Sequence, residues 1–198
     1  MKRLFDILIS LIVLTVGLPF GLLIALVIVA DTKGKVLYKQ ARVGRGNVDF
    51  QLYKFRTMYE DSDHGSLITI GVNDTRVTRS GLFLRKYKID EFPQFFNVLK
   101  GEMSIVGPRP EVRKYVDMYT SEQMKVLSVR PGLTDYASIR YVNENALLAA
   151  SDNPEQTYIN EIMPDKLALN LKYIQDQSLW VDMKIILKTF AAIIHRGR

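Results

Sequence analysis

From Ile7 to Ala30 the chain carries no charged side chain: "ILISLIVLTVGLPFGLLIALVIVA". As a helix this run is about 36 Å long, enough to cross the hydrocarbon core of a bilayer. A cleaved signal peptide fits poorly. The apolar stretch is too long, Asp6 lies in the basic leader region, and no A-x-A cleavage site follows. Two features also oppose a straight span. Pro19, within "GLPFG" (Gly17–Gly21) near the midpoint, lacks an amide hydrogen and pushes its ring toward the carbonyl of Thr15, which predicts a kink. Both flanks are basic: Lys2 and Arg3 precede the run, and Lys33, Lys35, Lys39, Arg42 and Arg45 follow it. Positive flanks favour the cytoplasmic side, so a bent helix that enters and leaves by one face satisfies both ends. A proline-kinked helix that spans the bilayer is the alternative; on the re-entrant reading the chain divides into a re-entrant membrane helix, residues 1–32, and a cytoplasmic-face domain, residues 33–198.

Beyond the anchor, residues 36–56 form two β-rich runs around Gly44-Arg45-Gly46-Asn47, a hairpin. Residues 57–78 are rich in Asp, Gly, Ser and Thr and read as loop. A short amphipathic helix follows over Ser80–Lys88, with Ser80 as its cap. Pro93 is welcome at a first helical position, so a helix runs from there to about Leu99, with Gly101 just past its end. "GPRPE" (Gly107–Glu111) is a rigid turn opening into a helix over 111–127, and "VRPGLTDYAS" (Val129–Ser138) is another turn. Residues 143–174 have helical periodicity interrupted by Pro154 and Pro164. In the tail, Leu179, Met183, Ile186, Phe190 and Ile193 form one stripe, with Lys184 and Lys188 off it. Such a helix either packs on the core or lies in a headgroup layer as a basic amphipathic helix. The fold class is α+β, mainly α, with a membrane anchor, a small β-hairpin and amphipathic interfacial helices.

A chain of 198 residues suits one domain with a real core. The absence of cysteine excludes disulfides, a thiolate nucleophile and Cys-based zinc sites, and His64 and His195 lie too far apart in sequence to suggest a metal motif. A net charge of +6 suits an acidic partner: nucleic acid, a phosphate-bearing substrate or an anionic membrane face. Nucleic acid is disfavoured, because the basic residues are scattered among acids and no RNA-binding signature is present. "GRGN" is not a dinucleotide fingerprint and there is no Walker A sequence.

The candidate chemistry lies in "YKIDEFPQFFNVLKG". Asp90 and Glu91 precede Pro93, at the positive end of its helix or at a kink joining two helices, where phosphate binds readily. Paired carboxylates there can hold Mg²⁺, attack a phosphorus atom, or accept a proton. Arg85 lies about 140° from Asp90 on an unbroken helix and reaches it only if the chain bends. Arg109, between two prolines in "SIVGPRPE", suits bidentate phosphate binding, and "YKFRTM" adds Lys54 and Arg56.

In this order, the broken hydrophobic helix, "KQARVGRG", "KFRTM", "DTRVTRSGLFLRKYKIDEFPQFFNVLKGEMSIVGPRP" and "RPGLT" resemble the small monotopic phosphoglycosyl transferases, the bacterial sugar transferase family. The likeness covers roughly residues 1–140; after Tyr141 it is one of general character, and "PGLTDYAS" departs from the "PGITG" form of larger relatives. The resemblance implies an enzyme on the cytoplasmic face of the bacterial inner membrane, anchored by a re-entrant helix broken at Pro19. It implies Mg²⁺-dependent transfer of a phosphosugar from a UDP-sugar to polyprenyl phosphate, giving polyprenyl-diphosphosugar and UMP. Asp90 would be the nucleophile, forming a covalent phosphosugar–aspartate. Glu91 would hold Mg²⁺ with Asp90 or act as a base, and Arg85, Arg109, Lys54 and Arg56 would bind phosphate. The residues alone also allow a membrane-tethered module that binds anionic ligands, or a phosphohydrolase acting on a lipid diphosphate.

Overall fold

The computed structural model describes residues 1–60 and 74–196, and the side chains of these as far as residue 193. Most of the 57–78 loop, His64 and the side chain of His195 therefore lie outside the described residues. Helix α1 (Lys2–Asp31) is a single helix of 30 residues that continues on both sides of Pro19. It is the one helix among the described residues long and apolar enough to cross a membrane, and only 11% of its most apolar stretch is buried. One stripe, Asp6, Ser10, Leu14 and Ile28, packs on the domain. Leu4, Ile12, Val16, Phe20, Leu23 and Leu26 stay exposed.

Both ends of α1 are tied to the rest of the chain. At the start, the Lys2 ammonium donates to Asp182 at 2.5 Å and to the Val106 carbonyl at 3.0 Å. The Arg3 guanidinium donates to the carbonyls of Val98 and Leu99. Asp6, which the sequence places in a basic leader, is buried and accepts from Ser104 Oγ and the Ile105 amide. At the far end, Asp31 accepts the Ser80 amide at 2.8 Å.

Strands β1 (Leu37–Val43) and β2 (Asp49–Phe55) form the expected antiparallel hairpin, in register from Leu37 opposite Phe55 to Val43 opposite Asp49. Helix α2 (Arg79–Lys86) is capped by the side chain of Thr78, which accepts the Gly81 amide, and not by Ser80. The correction has a simple cause: Thr78 is the last extended residue, and Ser80 is already helical. Helix α3 (Gln94–Lys100) begins behind Pro93 and ends at Gly101 in a left-handed conformation, as the sequence predicts.

Two features were not legible. Strand β3 (Ser104–Val106) pairs in parallel with β4 (Gly132–Thr134), so part of the 129–138 turn is a buried strand. The helix expected over 111–127 is two short pieces, α4 (Arg113–Val116) and a 3₁₀ segment over Gln123–Ser128. Further on come α5 (Tyr136–Arg140), α6 (Glu144–Ala149) and α7 (Pro154–Thr157), which Pro154 opens. A wide π turn over Tyr158–Ile162 leads into α8 (Met163–Asp176), so Pro164 sits harmlessly in a first turn and does not interrupt the helix.

Helix α9 (Leu179–Arg196) turns Asp182 and Ile185 inward. Leu179, Met183 and Phe190 of the expected stripe face outward, with Trp180 and Leu187. One core cluster gathers Leu52, Val98, Met103, Val106, Tyr173 and Ile185, joining the hairpin, α3, the parallel strands, α8 and α9. A second, around Tyr115, Leu148, Tyr158 and Leu167, fills the α4–α8 side.

Candidate functional site

Lys88 takes a left-handed backbone conformation, φ 59°. For a residue with a Cβ this costs about 1–2 kcal/mol, and it reverses the chain at the end of α2. The following turn, Ile89–Glu91, closes with the Glu91 amide donating to the Lys88 carbonyl and the Phe92 amide to that of Ile89. Asp90 is thereby aimed inward, 6% exposed, at the joint between two helices.

Asp90 Oδ1 is buried and has no hydrogen-bond partner among the described residues. Burial, and next the charge of Glu91, raise its pKa above the ordinary carboxylate value; Lys54, Lys88 and Arg85 oppose that rise. Arg85 comes from α2, its Nε donating to Thr57 Oγ1 at 2.8 Å. Burial lowers the Arg85 pKa and the charge of Asp90 works against that, so the left-handed bend brings the two groups into electrostatic reach.

Glu91 points the other way, into a ring of cations. The Arg109 guanidinium donates to both of its oxygens, Nη1 to Oε2 at 3.3 Å and Nη2 to Oε1. The ammonium groups of Lys88 and Lys54 stand 3.8 and 3.9 Å from Oε1. Burial alone would raise the Glu91 pKa, but Arg109, Lys88 and Lys54 together hold it well below the usual carboxylate range. Glu91 in turn raises the Arg109 pKa. Lys54 is pulled down to about 8, by burial first and against the attraction of Glu91.

Arg109 is positioned by the parallel strand pair. The Gly107 amide donates to the Thr134 carbonyl at 3.0 Å, and the Gly132 amide to the Pro108 carbonyl at 2.9 Å. A Cβ on Gly132 would lie 2.1 Å from the Gly107 nitrogen, so the two segments approach this closely only with glycine there. Asp135, fully buried, accepts the Arg109 amide at 3.2 Å and caps α5 through the Ser138 amide. Lys54 is fixed through β2, where the Tyr53 amide donates to Asn97 of α3 and Asn97 donates back to the Gln51 carbonyl.

Asp90, Glu91, Lys54, Arg85 and Arg109 thus line one cleft of about 2450 Å³. Arg56 is directed elsewhere. Its guanidinium donates to the carbonyls of Thr32, Lys33 and Lys35, all within 2.8 Å, and so closes the C-terminal end of α1. It is an anchor for the membrane helix and does not join the phosphate ring. Its position two residues after Lys54 put both on the strand, but carbonyls left open at a helix end claim the nearest guanidinium.

Sequence reasoning missed Lys88 and Asp135 as positioning groups, and the cluster of Arg42, Glu111 and Tyr158. Glu111 carried the one usable signal, its place in "GPRPE" two residues after Arg109.

No group of three or more His, Cys, Asp or Glu side chains that could hold a metal occurs among the described residues. The Asp90 carboxyl nevertheless fits a Mg²⁺ that takes its remaining oxygens from substrate and water; Glu91, expected to share it, has both oxygens on Arg109 and faces the cation ring instead. The buried acceptor without a partner on Asp90 is the observation that supports this fit.

Comparison with known proteins converges on one family. The family model for bacterial sugar transferases matches residues 1–196. The chain is 39% identical over 196 residues to the UDP-N-acetylgalactosamine-undecaprenyl-phosphate N-acetylgalactosaminephosphotransferase of Aeromonas hydrophila, covering 98% of this chain and 43% of that protein. It is 36% identical over 196 residues to the UDP-glucose:undecaprenyl-phosphate glucose-1-phosphate transferase of Caulobacter vibrioides, covering 98% of this chain and 69% of that one. It is 37% identical over 205 residues to the exopolysaccharide production protein PSS of Rhizobium leguminosarum bv. phaseoli, covering 100% and 97%. The chain therefore spans less than half of the Aeromonas protein and nearly all of the Rhizobium one.

Proposed function

This chain belongs to the bacterial sugar transferase family, and on that premise we propose that it transfers a phosphosugar from a UDP-sugar to polyprenyl phosphate, of the undecaprenyl class, at the cytoplasmic face of a bacterial membrane. The observation that carries the proposal is the buried, unpartnered Asp90 Oδ1 beside the cations Lys54, Arg85 and Arg109. Among the named relatives, the Aeromonas and Caulobacter proteins are phosphosugar transferases acting between a UDP-sugar and undecaprenyl phosphate.

A carboxylate attacking a diphosphate meets an anion, so the approach needs positive charge. Arg85, Arg109 and Lys54 supply it, and a Mg²⁺ held at Asp90 would supply more. The Asp90 carboxylate attacks the phosphorus that carries the sugar. The bond from that phosphorus to the oxygen bridging toward uridine breaks, and UMP leaves with the electron pair. The phosphosugar is then an acyl phosphate on Asp90. An oxygen of polyprenyl phosphate attacks the same phosphorus, the Asp90 carboxylate is released, and polyprenyl-diphosphosugar forms.

The Asp90 carboxyl lines the cleft and no hydrogen bond to the described residues ties down its Oδ1, so the group can turn toward a bound phosphate. Glu91 is held well below the usual carboxylate range, which favours a part in orienting Arg109, Lys54 and Lys88 over that of a base. The tethering of both ends of α1 to one domain supports the re-entrant anchor, and the outward apolar face of α9 supports a helix lying at headgroup depth.

The test is Asp90→Asn in detergent, with UDP-sugars, Mg²⁺ and no acceptor. The native chain is expected to gain one phosphosugar on the peptide holding residue 90, seen by mass spectrometry, with release of UMP. The variant is expected to fold and gain none. An adduct still mapped in the variant refutes the assignment of Asp90, and inorganic phosphate or a lipid monophosphate as product would mark a hydrolase.

A further inference from the structure

One region of the cleft holds a second polar cluster that the transfer steps leave unused. Arg42 projects from β1 and donates from Nη1 to Glu111 Oε1 and to the Pro110 carbonyl, both at 3.1 Å. The Tyr158 hydroxyl donates to Glu111 Oε2. The Lys166 ammonium stands 5.1 Å over the Tyr158 ring and 3.0 Å from Glu144 Oε2. Beside them Asn170, 5% exposed, lines the cleft with its Oδ1 buried and without a hydrogen-bond partner among the described residues. Arg42 also donates to Gln40, and Glu111 also accepts the Val112 amide, so the charged groups are satisfied within the chain; Asn170 Oδ1 is the group left open, and an open buried acceptor at the wall of the cleft points to a ligand that completes it.

We propose that Arg42, Glu111, Tyr158, Lys166 and Asn170 form the subsite for the sugar ring of the donor and set which UDP-sugar the enzyme accepts. The inference rests on the transfer reading above. Glu111 follows Arg109 by two residues in the same clamped turn, so the subsite adjoins the phosphate-binding arginine. In an in-line displacement the attacking and leaving oxygens are apical. The sugar oxygen is equatorial, and the ring extends sideways from the line between Asp90 and UMP. The sugar is thus the part of the donor nearest the reacting phosphorus, and the neighbouring lobe is where it goes.

The chemistry matches. Sugar hydroxyls both donate and accept, and an acetamido group offers one N–H and one carbonyl. Glu111 and Asn170 Oδ1 accept, Arg42 and Lys166 donate, and the buried Tyr158 hydroxyl holds Glu111 in place. A cavity of about 20 Å³ behind Arg109, Glu111 and Asn170 has room for about one water. A water there would satisfy Asn170 with no part in recognition, and the experiment separates these two roles.

The full chain in detergent, with Mg²⁺ and polyprenyl phosphate, is assayed against a panel of UDP-hexoses and UDP-N-acetylhexosamines. The readouts are kcat/KM for each donor and the inhibition constant of UMP, which carries no sugar. Asn170→Ala, the isosteric Asn170→Asp and Glu111→Gln are compared with the native chain. Each variant that keeps its native melting behaviour is expected to change the ratio of kcat/KM between acetamido and plain hexose donors about tenfold, as loss of a specific hydrogen bond does. UMP inhibition should move less than about twofold. Loss by one common factor for all donors, or weakening of UMP in parallel, overturns the subsite and leaves Asn170 structural; the isosteric variants decide if the alanine variant fails to fold. A native chain that releases UMP from no UDP-sugar overturns the transfer reading first.

Discussion

At Lys54 two opposing forces set the affinity for a proton. Burial favours the neutral amine, Glu91 at 3.9 Å favours the ammonium, and burial wins, leaving a pKa of about 8. In the metal-free protein, NMR titration of the lysine ε-methylene groups is therefore expected to show one residue with a midpoint near 8. Glu91→Gln removes the attraction and should move that midpoint lower. A midpoint at the ordinary lysine value, or one that rises in the variant, would show that the amine is not held as described. The sign for stability follows. Between about 8 and the unfolded lysine value the unfolded chain binds the extra proton, so this group makes stability rise with pH across that window. The same arithmetic explains the pairing with Glu91. Without Glu91 the amine would hold its proton less tightly, whereas with it the ammonium is the main form at neutral pH and an anionic diphosphate would favour it further.

The turn that carries the acids is held by the membrane helix, through Phe92. A Cβ on Gly17 would lie 2.4 Å from Phe92 Cε2, and one on Gly21 would lie 3.4 Å from Cε1. The ring also stacks on Phe55, centroids 6.3 Å apart and nearly parallel. The glycines around Pro19 are thus a seat for the residue that follows Glu91. Gly17→Ala is expected to displace the ring, as overpacking does at about 1–3 kcal/mol, and to lower kcat/KM for UMP release by about tenfold or more. Gly17→Ala combined with Phe92→Leu, which vacates the space, should recover part of the loss; no effect of the single change, or no recovery in the pair, would count against the seat. This contact was invisible in the sequence because it joins positions 75 residues apart, which "GLPFG" alone does not announce. What the sequence did display were local signals with one strong physical cause: the hairpin around Gly44–Asn47, and the helix opened by Pro93 and closed by Gly101. Strand β4 is only three residues long and pairs in parallel with a strand 28 residues earlier. A run that short shows no period of its own. The site divides likewise. Asp90, Glu91, Lys54 and Arg109 stood out by charge and neighbours, whereas the diversion of Arg56 depended on where the end of α1 comes to rest.

For the molecule as a whole the decisive relation is between the two ends of α1. A straight crossing would place its ends on opposite sides of about 30 Å of hydrocarbon. Here Lys2 bonds to Asp182 and Val106, while Thr32, Lys33 and Lys35 give their carbonyls to Arg56, all on one polar domain. A folded domain does not straddle the bilayer core with its hydrogen bonds exposed to lipid. Breaking either tether to allow a crossing would leave the buried Asp182 carboxylate without its cation and with Tyr173 alone, or the Arg56 guanidinium without its carbonyls. The basic flanks agree, since both ends carry lysine and arginine. The chain has no cysteine, so a single introduced thiol reports without background. One cysteine placed ahead of Met1, or Lys33→Cys at the other end, is expected to react with a membrane-impermeant maleimide only from the cytoplasmic side, in inverted vesicles and not in intact spheroplasts. Labelling of the leading cysteine from the outer side would mean that α1 crosses, and the tethers at Lys2 and Arg3 could not then exist in the membrane. Labelling of both from within would put the two ends of α1 on one face of the membrane, as the proposed transfer to a lipid phosphate requires.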